Sequence, residues 1–559
     1  MSASSRSDDM VACGIGEARM PDTVTAPDPA ATDNVSSGPA RALRDGLLTG
    51  HHTAPGWDVE PFEDFLREDN GALAAWFGDG FARAIAADPS RHHPKGRARE
   101  RLRARLDRDI ATIDVMIARQ IDAILHHPRF LSLEGSWRGL AWLVADLDPG
   151  GEIAVKVLST GWSELARDLL RVLEFDQSAF FRLVYEDEFG HAGGHPFGLM
   201  LIDREVAHVP PRRGAFDAPS VDDVDVVRQL AAVAAAAFVP TVLAASPRLF
   251  GVETFDTLSL VQDITGVQDD PEHRRWHDLA ASEDSRFLCL TLPRLRARAR
   301  WTRDNNRLRH EEYATRTSQL CWHSAGYAFA RNVTRAQREF RWPADVRGVT
   351  PASATGSFVT GTIDDALRFG THTRISRAPT ELGFTDQQSQ ALVESGVMLL
   401  DTLPFGGVAF ASTRSLQAHP AAPRQVNVAD RNRRLSAEIV SLLCVSRFAH
   451  YIKMLGRDII GRVATPAEIE RGLQEWLGQY TNASTLSSGE SRARYPLLSS
   501  RVQVIAREGR PGQFSCIIHL QPHYQLDDIS TTFRLVTNLS SPDRAGSQGH
   551  VTPLYSGDR

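Results

Sequence analysis

The residues best suited to chemistry are few and scattered. His126 and His127 stand together before Pro128, and His450 follows Arg447 by three positions. Acidic groups crowd 185–188 (YEDE), and GHAGGHPFG at 190–198 has the glycine content of an anion-cradling nest. Each also has a plainer reading. A histidine pair at a helix end favours the last carbonyls. A histidine on an apolar helix with no nucleophile beside it in sequence reads as a satisfied core residue. Acids without a companion motif read as a solvated face, and the glycines as the turn into a strand.

The signatures that would turn such residues into a site do not occur. There is no G-x-x-x-x-G-K-[ST] phosphate loop, no H-E-x-x-H metal helix and no G-x-S-x-G nucleophile elbow. Gly14-Ile15-Gly16 lacks the third glycine and the preceding strand of a dinucleotide site. The five cysteines (Cys13, Cys289, Cys321, Cys444, Cys516) form no C-x-x-C pair, and most lie in apolar runs such as FLCLTL, so buried free thiols in a reducing compartment are expected. No metal or cofactor is called for.

The chain has 559 residues, enough for two or three domains, with 63 Lys and Arg against 69 Asp and Glu, a net charge of −6. That balance gives no global reason to bind nucleic acid or anionic membrane. The first residues lack the basic start and apolar core of a secretory signal. LAAVAAAAFVPTVLAA at 230–245 is too short to span a bilayer and is broken by Pro240, so it reads as a buried helix running into a strand. A soluble cytoplasmic protein is expected.

Residues 1–55 are rich in Ser, Asp, Ala and Pro without an apolar period and read as a mobile arm. Short amphipathic helices follow from Pro61. The clearest period comes next. Leu102, Leu106, Ile110, Ile113, Ile117, Ile121 and Ile124 recur at helical steps, which predicts a long helix over 97–127 with one branched stripe. Its arginines are interleaved with acids and lack aromatics, so they read as a solvated or protein-binding face. Mixed α/β structure follows: strands at 152–158, 197–203, 241–245 and 286–292, and helices at 162–173, 176–188, 221–238 and 311–340. Residues 348–378 read as a surface excursion. Thr385 caps a short helix, and 396–401 with 407–412 form a strand pair. A buried helix spans 433–460, Thr465-Pro466 with Glu468 begins another, and 501–508 with 513–521 make a hairpin followed by a strand at 530–536.

Seven strings, in order, carry a resemblance. They are LEGSWRGL (133–140), FDQSAFFRLVYEDEFG (175–190), GGHPFGLML (193–201), SEDSRFLCLTLPR (282–294), SRFAHYIKMLGRDIIG (446–461), ARYPL (493–497) and LQPHYQLDDISTTFRLV (520–536). Together they resemble the large contractile-sheath subunit of type VI secretion systems, the TssC, VipB or ImpC family. The resemblance implies a structural protein rather than an enzyme, with no cofactor. The implied fold is mixed α/β and phage-tail-sheath-like, with a C-terminal hairpin region completed by strands from neighbouring subunits. The layout it implies is an arm at 1–55, a helical region contacting the small subunit at 56–130, an α/β body at 131–430, a C-terminal sheath domain at 431–540 and a tail at 541–559.

The implied partners are a small sheath subunit of the TssB, VipA or ImpB type, further copies of this chain in a helical sheath, and an inner tube protein of the Hcp type. A baseplate and, indirectly, a recycling ATPase of the ClpV type complete the set. Neither nucleic acid nor direct membrane insertion is implied. Interface positions would be Ile110, Ile113, Ile117 and Ile121 on the long helix, for which core packing is the equal alternative, and Val502, Val504, Phe514, Ile517 and His519 on the hairpin. The long arm and the region after Arg347-Gly348 depart from the family pattern. They leave open a divergent paralogue or an accessory, cap-like variant of the same machine. A soluble α/β enzyme with a pocket around His450 or Glu186 is the reading from a different class.

Overall fold

A computed structural model describes residues 74–539, apart from internal stretches of which 211–220, 303–309, 419–437, 507–513 and 524–532 are the longest. The arm at 1–55, the tail at 541–559, the helix expected at 61–68, Cys13 and the hairpin turn at 509–512 lie outside the described residues. The chain divides into two compact units, Met1–Met116 and Ile117–Arg559.

In the first unit, helix α1 (Asp79–Ala86) lies beside the start of α2 (Arg97–Leu125). Ala82 and Ile85 bury against Ala98 and Leu102, with Phe77, Phe81 and Leu106 packed around them. The isoleucine period therefore makes the long helix it predicts, but only its first leucines are covered by this small core.

The second unit opens with the end of α2 and with α3 (Pro128–Val144), which has Pro128 in its first turn, where a missing N–H costs nothing. Helix α4 (Trp162–Arg171), strand β1 (Met200–Val206), α5 (Asp223–Ala237), β2 (Thr241–Ala245) and β3 (Leu288–Leu292) follow. After them come α6 (Ala325–Phe340), β4 (Phe358–Val359), α7 (Asp386–Glu394), β5 (Val397–Thr402) and β6 (Val408–Phe410). Six strands form one mixed sheet in the order β1-β2-β3-β5-β6-β4, parallel from β1 to β5 and antiparallel beyond it. Strand β2 is buried on both faces: Val242 faces one apolar core, while Leu243 and Ala245 face another. That two-sided burial is what its unbroken TVLAA sequence encodes.

Helix α8 (Ile439–Ile459) and α9 (Pro466–Gly478) pack against a separate antiparallel sheet, β7 (Leu497–Ala506), β8 (Phe514–Pro522) and β9 (Phe533–Leu539), in that order. Phe448, Ala449 and Ile452 of α8 are fully buried. The stretch Ile439–Gly456 is apolar enough by composition to cross a membrane, yet 67% of it is buried inside the fold, as a core helix is. Both capping sites form as the sequence predicts: Thr385 with Gln388, and Thr465 with Glu468, each accept and return a hydrogen bond.

Several expectations need correction. Residues 152–158 join no ladder among the described residues, and Val155, Val157 and Leu158 are exposed. The alternation there reflects an extended surface segment, held by Lys156 pairing with Glu188. The strand expected at 197–203 begins only at Met200, after the Pro196 turn. The helix expected over 311–340 begins at Ala325, because Glu312 is pulled into a buried ion pair. The stretch 348–378 is more than a surface excursion: Ser357 and Val359 are buried, and β4 forms an edge of the main sheet.

Candidate assembly surfaces

The candidate chemical groups are absorbed by packing. His450 is fully buried, with Nε2 3.0 Å from the Ala237 carbonyl. Burial pushes its pKa down to about 3, which keeps it neutral. His126 lies 3.3 Å from Glu312, and His127 sits at the N-terminus of α3. Glu186 is exposed, whereas Glu188 is buried, pairs with Lys156 and accepts the His195 N–H at 2.8 Å. Burial works against the Glu188 charge, but these two partners hold its pKa below the ordinary value. The glycine-rich turn thus aims an N–H donor at its own carboxylate instead of at a phosphate. Among the described residues, the clefts around Cys444 and around Trp142 include neither His450 nor Glu186 in their walls, and no cluster of three metal-ligating side chains occurs.

The sequence strings meet one another in space. Phe175, Phe181, Tyr185, Phe189 and His450 form a ladder of rings with successive centroids 5.5, 5.0, 4.7 and 5.5 Å apart. Lys453, one turn on from His450, lies over Tyr185, Phe189 and Phe238 at 4.8–5.0 Å. Burial brings its pKa down to about 8. Arg447 donates to the Pro196 carbonyl at 3.3 Å. Segments 175–190, 193–201 and 446–461 are therefore one structural joint. His523 N–H likewise donates to the Pro496 carbonyl at 2.8 Å, joining 493–497 to 520–536.

LEGSWRGL is a packing device on α3. A Cβ at Gly135 would fall 2.1 Å from the Trp322 carbonyl, and one at Gly139 2.6 Å from the Tyr327 ring, so only glycine allows this approach. Between them, Arg138 and Arg298 both donate to Glu134 at 2.8 Å. Arg298 also holds Glu312, whose side chain is fully buried.

Two helices carry large apolar side chains on their exposed faces. On α2, Ile110 (55% exposed), Ile113, Met116, Ile117 and Ile124 stand uncovered, and Ile121 is half-buried. On α3, Leu133 and Trp137 (62% exposed) continue this character one turn apart. Burying one such side chain contributes roughly 1.5–3 kcal/mol, so these faces are suited to protein contact.

The hairpin positions divide. Val502 and Val504 of β7 are buried in the chain's own core with Cys516 and Ile518, whereas Phe514, Ile517 and His519 of β8 are half-buried.

The sequence matches the family signatures described as EvpB/VC_A0108, tail sheath N-terminal domain, over residues 107–417, and EvpB/VC_A0108, tail sheath gpW/gp25-like domain, over 428–539. It is 32% identical over 447 residues to the type VI secretion system sheath protein TssC1 of Pseudomonas aeruginosa, covering 78% of this chain and 86% of that one. The chain belongs to the VipB/TssC tail sheath family. A chain of the cryo-EM structure of the anti-feeding prophage baseplate, 10% identical, aligns over 67% of this chain and 80% of its own at a TM-score of 0.31, a likeness too loose to define the fold.

Membership in the VipB/TssC family makes the role structural and non-catalytic. Sequence reasoning missed Trp137 and Leu133 as exposed positions, although their spacing of four in a string with two close-packing glycines was a usable signal. It also missed how α9 engages β7. Gln474 and Glu470 reach the β7 backbone across about thirty residues of sequence, and no local pattern announces that.

Proposed function

We propose that the chain is the large subunit of a cytoplasmic type VI contractile sheath. It pairs with a small sheath subunit through the helical region, and the pairs stack into a helical tube around an inner tube. Contraction of that tube drives the inner tube outward. A non-closing head-to-tail contact generates such a filament, and two packings of the same surfaces store the free energy, so no hydrolytic site is needed. The baseplate and a recycling ATPase are partners of the assembled machine.

In this reading the layout keeps the arm at 1–55, the helical region at 56–130, the body at 131–430, the sheath domain at 431–540 and the tail at 541–559. Strands from neighbouring subunits complete the C-terminal sheet, and the arm is the donated segment. The observation that carries the proposal is the uncovered isoleucine face of a 29-residue helix.

Co-purification tests it. Affinity-tagged chain co-expressed with the small sheath subunit from the same gene cluster should retain that subunit, and I113D/I117D should release it. Retention unchanged by the double variant would remove the helix from the interface. Deleting 1–60 should leave the pair intact but stop its polymerisation.

A further inference from the structure

The outer edge of β7 is engaged from within the chain along most of its length. At its start, Leu497 N–H donates to the Tyr480 carbonyl at 3.1 Å, and its carbonyl accepts the Asn482 N–H at 2.8 Å, a short parallel bridge centred on Thr481. Further along, the Gln474 amide accepts the Val502 N–H at 3.0 Å and donates to the Ser500 carbonyl at 3.1 Å. One helical turn earlier, Glu470 accepts the Val504 N–H at 3.0 Å.

A residue of a parallel strand makes the same pair of bonds, its own N–H and C=O bridging two positions on its neighbour. Gln474 therefore stands where a strand residue would stand. Glu470 and Gln474 are four apart on α9, so both project from one helix face. The adjacent face is anchored: Ile469, Leu473 and Leu477 are all buried in the main core.

We propose that Gln474 and Glu470 form a strand-mimicking clip that closes the β7 edge, so that a strand from another subunit joins this sheet only along β9. The proposal rests on the strand-exchange reading above and adds a direction to it. An open edge is a template for any extended chain, and a sheet with two open edges offers an incoming strand a wrong edge beside the right one. Closing one edge with side chains leaves a single site for backbone addition. In the order β7-β8-β9 the opposite border is β9, which among the described residues pairs with β8 alone.

Hydrogen–deuterium exchange on the full chain at low concentration, then on tubes formed with the small sheath subunit, tests this. Peptides covering 500–504 should be protected in the wild-type chain. They should exchange about tenfold faster in Q474A/E470A, as expected for loss of such hydrogen bonds, with peptides from α8 unchanged. Alanine is a good helix former, so α9 should persist. The variant should also self-associate by light scattering, and Q474E, which keeps the acceptor for Val502, should lie between. On assembly, protection should rise at 533–539 and stay level at 498–506. Unchanged exchange at 500–504 in Q474A/E470A, or new protection there on assembly, would overturn the clip. If no tubes form with the small subunit, the sheath reading fails, while exchange and self-association of the chain alone still decide whether the clip exists.

Discussion

Arg298 grips Glu312 through both terminal nitrogens, at 2.6 and 3.1 Å, while its Nε donates to Glu134 at 2.8 Å. Burial opposes the charge on both partners. For Glu312 the Arg298 hydrogen bonds and the Trp301 N–H more than offset it, so its pKa lies below the ordinary value. One guanidinium thus ties α3 to the irregular stretch before α6.

Removing one partner of this pair leaves a buried charge uncompensated. R298L should lower stability by about 3–5 kcal/mol, read as a shift in the urea midpoint by tryptophan fluorescence. R298L/E312L should recover much of the loss, since the pair's own net contribution is small. A double variant as unstable as the single one would mean that Glu134 and His126 carry the joint.

Acid stability should follow the buried histidines. Burial lowers the pKa of His323 to about 4 and of His450 to about 3. The folded state therefore refuses protons that the unfolded chain takes up below about 6.5. Stability is complete above about pH 6.5 and is lost as pH falls from there to about 4 for His323 and to about 3 for His450. Each group contributes roughly 3–5 kcal/mol across its window. H450Q should flatten the decline in a series of thermal melts, and an unaltered slope would assign it elsewhere.

Gly135 and Gly139 set how closely α3 approaches the residues around Trp322 and Tyr327. G135A meets backbone, which cannot swing aside, whereas G139A meets the ring of Tyr327. Expected losses are about 3 kcal/mol for G135A and less for G139A, because overpacking costs roughly 1–3 kcal/mol where a side chain can yield. Equal losses would contradict the geometry.

Exposed isoleucines make the opposite prediction. I110D and I117D should leave the melting temperature of the isolated chain within about 1–2 °C, as changes at solvent-facing positions away from a core do. They should also reduce its aggregation. A large fall in melting temperature would place these side chains in a core.

How much was legible depended on whether the signal was local. The period from Leu102 to Ile124 repeats at each turn of one continuous helix, the Thr385 and Thr465 caps lie within a single turn, and each gave its element. The 152–158 segment misled because alternation reports an extended backbone, while a ladder also requires a partner that sequence does not name. The isoleucine stripe fixed a helix face but could not say what covers it. The clip on β7 depends on a glutamine meeting a backbone 28 positions away, a contact with no trace in hydropathy.

The most direct test of the assembly claim is negative-stain microscopy of the chain co-expressed with its small sheath subunit. Long hollow tubes of uniform diameter, absent when residues 1–60 are deleted, are the expected result. A monodisperse chain that neither binds the small subunit nor polymerises would contradict the claim.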